Sequence, residues 1–158
     1  MDAVIEIAVD SPAADDVRRL LDEHLADMFA TSPADSVHAL DHSALAAPDV
    51  GFWTAREAGQ LLGCGALKSL GSRAGEIKSM RTTPAARGRG VAAQLLGHIV
   101  DEARRRGYES LFLETGTEEF FAPARRLYER HGFTACPPFG GYSMDPHSVF
   151  MTLDLSGG

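Results

Sequence analysis

Cysteine is scarce in this chain: Cys64 and Cys136 are the only two among 158 residues, in unrelated contexts. Two isolated thiols exclude a disulfide framework and provide no ligand spacing for a metal site. No apolar run approaches the roughly 20 residues of a membrane span. Met1-Asp2-Ala3-Val4-Ile5-Glu6 lacks the basic start and apolar core of a secretion signal. A cytoplasmic protein with no membrane partner is therefore expected. Excess positive charge is missing as well. A net charge of −7 argues against general nucleic-acid binding, which needs a basic face. Repeats, low-complexity segments and linkers are absent, and 158 residues are enough for one domain with a sizeable core and too few for two. A single domain over residues 1–158 is the expectation, with pairing into a homodimer left open.

The charge that is present is unevenly spread. Residues 73–106 contain eight Lys or Arg against three Asp or Glu, a local balance of +5 that leaves −12 for the rest. A basic patch on an acidic body suits a small polyanionic ligand that approaches under charge steering. The acidic remainder would also favour a cationic substrate, although solvating the surface is the commoner use of such charge.

The centre of the basic patch is Arg87-Gly88-Arg89-Gly90-Val91-Ala92, which opens an amphipathic helix. Glycines let the backbone approach a ligand closely, and the first turn of a helix offers unpaired N–H groups at the positive end of its dipole. That combination binds phosphate or pyrophosphate. Gly88-x-Gly90-x-x-Ala93 also fits a dinucleotide fingerprint, with Glu114 about 20 residues on where a ribose-binding acid would stand. The context opposes NAD, because Thr82-Thr83-Pro84-Ala85-Ala86-Arg87 separates the strand from the glycines and the proline breaks the ladder. An ATP-type loop fails because no Lys-Ser or Lys-Thr follows.

Periodicity organises the remainder. Val4–Val9 reads as a strand, and Ser11-Pro12 as the cap and first position of a helix running to about Phe29. A short helix is expected around Ser36 to Ala46. Phe52–Ala55 and Leu61–Leu70 form a hairpin that turns at Ala58-Gly59, and Gly71–Gly75 turns into a strand over Glu76–Arg81. Ala92, Leu95, Leu96, Ile99 and Ala103 line one face of a helix from Gly90 to Arg106, which Gly107 ends. Leu111-Phe112-Leu113 has the look of a buried parallel strand. A helix over Glu119–His131 and strands at Phe133–Cys136 and Ser148–Leu155 complete the order β-α-α-β-β-β-α-β-α-β-β. That order is an α/β domain with a mixed sheet.

Arg87-x-x-Gly90-x-Ala92, with Glu76-Ile77 heading the preceding strand, resembles the signature of the GNAT acetyltransferase superfamily. Ala124-x-x-Leu127-Tyr128-Glu129-x-x-Gly132-Phe133 resembles its second helical signature. The likeness covers roughly Gly51 to Leu155. Leu113-Glu114-Thr115-Gly116, Phe121-x-Pro123-Ala124 and Asp145-Pro146-x-Ser148-Val149-Phe150-Met151 are similar to a subgroup of small bacterial members whose substrates are poorly defined. One departure is Phe121, at the place of an asparagine that contacts the cofactor in many members.

The resemblance implies a mostly antiparallel sheet, flanked by helices and splayed between its fourth and fifth strands, where the pantetheine arm of acetyl-CoA lies. It places Met80, Arg81 and Thr82 along that arm, and Arg87, Gly88, Arg89, Gly90, Val91 and Ala92 at the pyrophosphate. The implied activity is transfer of an acetyl group from acetyl-CoA to the primary amine of a small molecule by direct attack. An acetyltransferase acting on peptides and an acyl-CoA sensor are the rival readings. Such chemistry needs a lost amine proton, a stabilised thioester oxygen and a proton for the thiolate. By resemblance Tyr128 is the acid and Glu76 the base, whereas the alternatives are a core tyrosine and a carboxylate that holds Lys78. Glu114, His38 and Tyr142 are candidates for substrate contact, with His42 and Asp145 behind them. His147 reads as a turn residue and Cys136 as structural. No metal is implied.

Overall fold

The computed structural model describes residues 4–31, 42–117, 119–140 and 142–156, without the side chains of His42, Ser43 and Phe120. The elements follow the expected order. Strand β1 (Ile5–Val9) leads to helix α1 (Asp15–Thr31), a short helix α2 (His42–Leu45), and strands β2 (Val50–Glu57), β3 (Gln60–Gly71) and β4 (Ala74–Thr82). Helix α3 (Val91–Arg105), strand β5 (Ser110–Gly116), helix α4 (Ala122–Arg130) and strands β6 (Thr134–Ala135) and β7 (Ser148–Asp154) complete the chain. The sheet runs β1-β2-β3-β4-β5-β7-β6. Its strands pair antiparallel except β4 and β5, which are parallel and joined through α3.

Each face of the sheet carries its own core. Leu95, Leu96, Ile99 and Ala103 of α3 and Leu127 of α4 pack on Leu67, Ile77, Leu111 and Leu113. On the opposite face Val17, Leu20 and Leu21 of α1 and Leu45 of α2 cover Phe52, Cys64 and Ala66. The two helical layers thus bury both sides of the central strands. Among the described residues no helix is long and apolar enough to cross a membrane, and no group of three His, Cys, Asp or Glu side chains is placed to hold a metal ion.

Local chemistry accounts for most boundaries. Ala58 and Gly59 take φ of 50° and 81°, the left-handed pair that a two-residue hairpin demands. Two expectations need correcting. Ser11 does not cap α1. Its hydroxyl accepts from the Ala13 N–H at 3.1 Å and closes a local turn, and the helix starts at Asp15, where Asp15 and Asp16 complement the dipole. The second turn is tighter than its glycines suggest. Gly71 and Gly75 belong to β3 and β4, and the chain reverses on Ser72 and Arg73 at φ of 52° and 58°. The pairing of β3 with β4 imposes that geometry on two residues with no special preference for it.

Candidate active site

The site is built on β4. Alternation along the strand puts Glu76 and Lys78 on one face and Ile77 on the other, where Ile77 joins the core beneath α3. The alternation breaks at Ser79, which is held at a φ of 56°. Cys64 stands opposite Arg81 and Ala66 opposite Lys78, so Ser79 and Met80 together face Gly65 in a bulge. Gly65 makes room for it, since a Cβ there would lie 2.5 Å from Met80 Sδ. On its other edge β4 pairs with β5 only from Ala74–Ser110 to Ile77–Leu113. Past those residues the strands part, and the gap opens into a cleft of about 680 Å³.

One end of the cleft is the glycine loop. Pro84–Ala86 form a 3-10 turn, and Gly88 and Gly90 then take φ of 81° and 77°. Gly90 is the N-cap of α3 and offers no side chain to its N–H groups. Nothing lies within 4 Å of where a Cβ would stand on either glycine. The first-turn N–H groups therefore border open space at the positive end of the dipole. Arg87 lines this end, is exposed, and makes no ion pair among the described residues. Arg89 is not part of the wall; its guanidinium pairs with Glu57 on β2. Open glycines, unpaired helical donors and a free guanidinium are what a pyrophosphate requires. Thus the loop has the shape and charge to accept a diphosphate.

Helix α4 forms the middle of the wall through Pro123, Ala124, Leu127 and Tyr128, with Phe121 at its head. Tyr128 is 7% exposed, its ring edge-on to Phe133 at 5.8 Å, and burial pushes its phenol up to about 12. It is therefore a proton donor at neutral pH. Phe121, 8% exposed, gives this part of the wall an apolar side chain.

The far end is polar and closely knit. Lys78 Nζ donates to Glu76 Oε2 at 2.9 Å and to the Tyr142 hydroxyl at 2.7 Å, and that hydroxyl donates to the same Oε2 at 2.8 Å. Glu76 is 3% exposed, so the triangle balances charge in a place where an unpaired carboxylate would be costly. Burial first, and then the carboxylates of Glu76 and Glu114, hold the Tyr142 phenol far above its ordinary range. Its ring sits in an aromatic cluster with Phe139 and Phe150. From α1 come His24 and Met28. Arg81 reaches toward that helix and pairs with Asp27 and, at 3.5 Å, with Glu23. Burial, and then the nearby Arg81, lower His24 to about 4, so its imidazole is neutral at pH 7. Ser79 Oγ and Arg81 Nε are buried without a partner among the described residues.

Met80, Arg81, Thr82, Arg87, Gly88, Gly90, Val91, Ala92, Tyr128, Glu76 and Glu114 thus share one cleft. Tyr142 is not on the wall but braces Glu76 and Lys78 on it. His38 lies outside the described residues, and the side chain of His42 is likewise not described. Asp145 accepts from the His147 N–H at 2.8 Å in a turn. Burial raises the Cys136 thiol. It pushes the Cys64 thiol up to about 12, and that thiol donates to the Ser79 carbonyl; neither is a nucleophile in this state. His24 and Ser79 carry no sequence motif. Helical spacing marks His24 only as one more residue on the inner face of α1.

Comparison with known proteins agrees with this geometry. Residues 17–133 match the model of the acetyltransferase (GNAT) family. The chain is 50% identical over 151 residues to an uncharacterized N-acetyltransferase, YsnE, of Bacillus subtilis, a match covering 96% of this chain and all of that one. It is 42% identical over 155 residues to the IAA acetyltransferase of Azospirillum brasilense, covering 96% and 98%. The crystal structure of a Bacillus subtilis acetyltransferase in complex with CoA superposes with a TM-score of 0.68 at 17% identity, over 98% of this chain and 99% of that one. The chain belongs to the GNAT family and is an acetyl-CoA-dependent N-acetyltransferase.

Proposed function

We propose that the protein acetylates the primary amine of a small molecule by direct attack in a ternary complex. The observation that carries the reading is the continuity of one cleft, from the glycine loop past Tyr128 to Glu76 and His24. A cofactor end and an acceptor end thus meet where β4 and β5 part. When bound, acetyl-CoA supplies an acyl group activated as a thioester. Gly88, Gly90 and the first turn of α3 hold the diphosphate, with Arg87 as a mobile counter-charge. The Ser79–Met80 bulge takes the backbone out of regular pairing beside the reacting carbonyl, where an N–H stabilises the oxygen as charge develops. Tyr128 gives its proton to the departing sulfur. Its raised basicity is matched in part by the sulfur, which the same dry surroundings also make more basic.

Glu76 receives the incoming ammonium through Oε1, which accepts no hydrogen bond among the described residues, while Lys78 and Tyr142 fix Oε2. Oε1 then takes the first proton of the ammonium, which leaves a neutral amine as the nucleophile. Glu114, near Tyr142, adds to the negative field of this end. The reading is tested by incubating the protein with acetyl-CoA and a panel of amines and peptides while following release of free thiol. Turnover with small amines supports it. Turnover with peptides alone transfers the activity to a protein acetyltransferase, and tight acetyl-CoA binding with no thiol release from any acceptor makes the chain a sensor.

A further inference from the structure

An alkylammonium that becomes an amide sheds two protons: one before attack and one after. The second is far more acidic than the first, because the nitrogen is by then bonded to the acyl carbon. It therefore suits a weaker base, placed elsewhere on the wall. We infer that His24 takes this second proton; the inference rests on the amine acetylation proposed above.

The wall leaves few other recipients. Lys78 and Arg81 carry only donors. The buried Tyr128 phenol keeps its proton, which the reading above assigns to the sulfur. Glu76 is already committed, with two donors on Oε2 and the first proton at Oε1. Glu114 is engaged in an interaction of its own, and its charge acts on the Tyr142 phenol. His24 lines the cleft from α1, one turn before Met28, and its ring nitrogens make no hydrogen bond among the described residues. The charged groups facing it are Arg81 from β4 and Asp27 from its own helix. The cation opposite and the burial keep the imidazole neutral with a lone pair open, so it accepts readily from an acidic N–H and poorly from a free alkylammonium. In the step itself the N–C bond forms and the C–S bond breaks, with its electron pair leaving on sulfur. The sulfur takes the Tyr128 proton and the nitrogen's second proton goes to His24. Solvent then removes the protons from Glu76 and His24 and restores the one on Tyr128.

Two nucleophiles separate the two bases. The fastest primary amine of the panel is compared with the O-alkyl hydroxylamine of the same skeleton, whose nitrogen is already neutral at pH 7. Glu76→Gln should slow the amine strongly and the hydroxylamine little. His24→Gln should lower kcat for both by roughly 10²-fold, the lower range of general-base catalysis. Thermal melts and calorimetric titration with CoA should match wild type, which separates a lost base from a damaged site. In His24→Ala, added imidazole should restore part of the rate. Near-wild-type turnover in His24→Gln, a loss confined to the amine, or a folded His24→Ala that imidazole does not restore would each overturn the assignment. If wild-type protein releases no thiol with any amine, hydroxylamine or peptide, the parent reading falls and the inference with it.

Discussion

Gly90 and Gly107 bound the same helix at almost the same backbone angle, which makes them a matched pair. Their φ values are 77° and 80°, and in both cases the position of a Cβ has nothing within 4 Å. Alanine at either site should therefore meet the same penalty, about 1–2 kcal/mol for holding an L-residue in the left-handed region. For a chain of this size that lowers Tm by roughly 2–8 °C. The surroundings differ, however. Gly90 lies on the cleft wall at the N-terminus of α3, whereas Gly107 follows the other end of the helix. A methyl group on Gly90 would hold a diphosphate away from the first-turn N–H groups. Each charge-assisted hydrogen bond lost there is worth about 1.5–3 kcal/mol, so the Kd for CoA should rise by roughly 10- to 150-fold for one such bond. Thermal melts and calorimetric titration on Gly90→Ala and Gly107→Ala read both quantities. Equal losses of CoA affinity in the two variants, or unchanged affinity in Gly90→Ala, would refute the role assigned to the loop.

Tyr128→Phe should lower kcat by roughly 10²-fold or more and leave CoA affinity nearly unchanged, because the ring remains packed on Phe133; unchanged turnover assigns Tyr128 to the core alone. Lys78→Met strands Glu76, and should cost about 3–5 kcal/mol in urea unfolding, against about 1 kcal/mol for Tyr142→Phe, which leaves the Lys78–Glu76 pair in place. Equal effects would mean that the triangle does not hold the buried charge. For His24, whose pKa falls from 6.5 to about 4 on folding, the unfolded chain binds the extra proton between those values. Stability should then decline as pH drops from about 6.5 to about 4, by up to about 1.4 kcal/mol per unit. His24→Gln should show a shallower decline in the same window, and an identical one would place the imidazole in solvent.

Which parts of this architecture could be read from sequence follows from how far apart the deciding residues lie. Helix α3 announces itself because Leu95, Leu96, Ile99 and Ala103 recur within one element and glycines punctuate both ends. The Ala58-Gly59 reversal is likewise local. The Ser72–Arg73 turn is not, since neither residue prefers a positive φ; the ladder between β3 and β4 decides it, although glycines flank it on both sides. The same holds at the start of α1. Ser11-Pro12 has the residues of a cap, but Asp10 binds Thr54 and Arg56 across to β2, and that anchor delays the helix by a turn.

The active site divides in the same way. Arg87, Gly88 and Gly90 form a contiguous motif and could be found without a fold. Arg87 and Arg89 are indistinguishable in that motif, yet Glu57, 32 residues away in the chain, draws Arg89 out of the cleft. Glu76 and Lys78 share a strand face, so their pairing follows from a period of two. The third corner of the triangle, Tyr142, lies 64 residues beyond Lys78, and no local pattern connects them. His24 is the extreme case. On α1 it occupies a position that helical spacing assigns to packing, yet it lines the cleft that opens where β4 and β5 part. The glycine-loop end of the cleft is therefore written in adjacent residues, while the polar end, which we propose takes the acceptor, is assembled by tertiary structure from residues of α1, β4, β5 and the segment between β6 and β7. Acceptor choice can consequently change by substitutions scattered along the chain while the loop at Arg87–Gly90 stays the same.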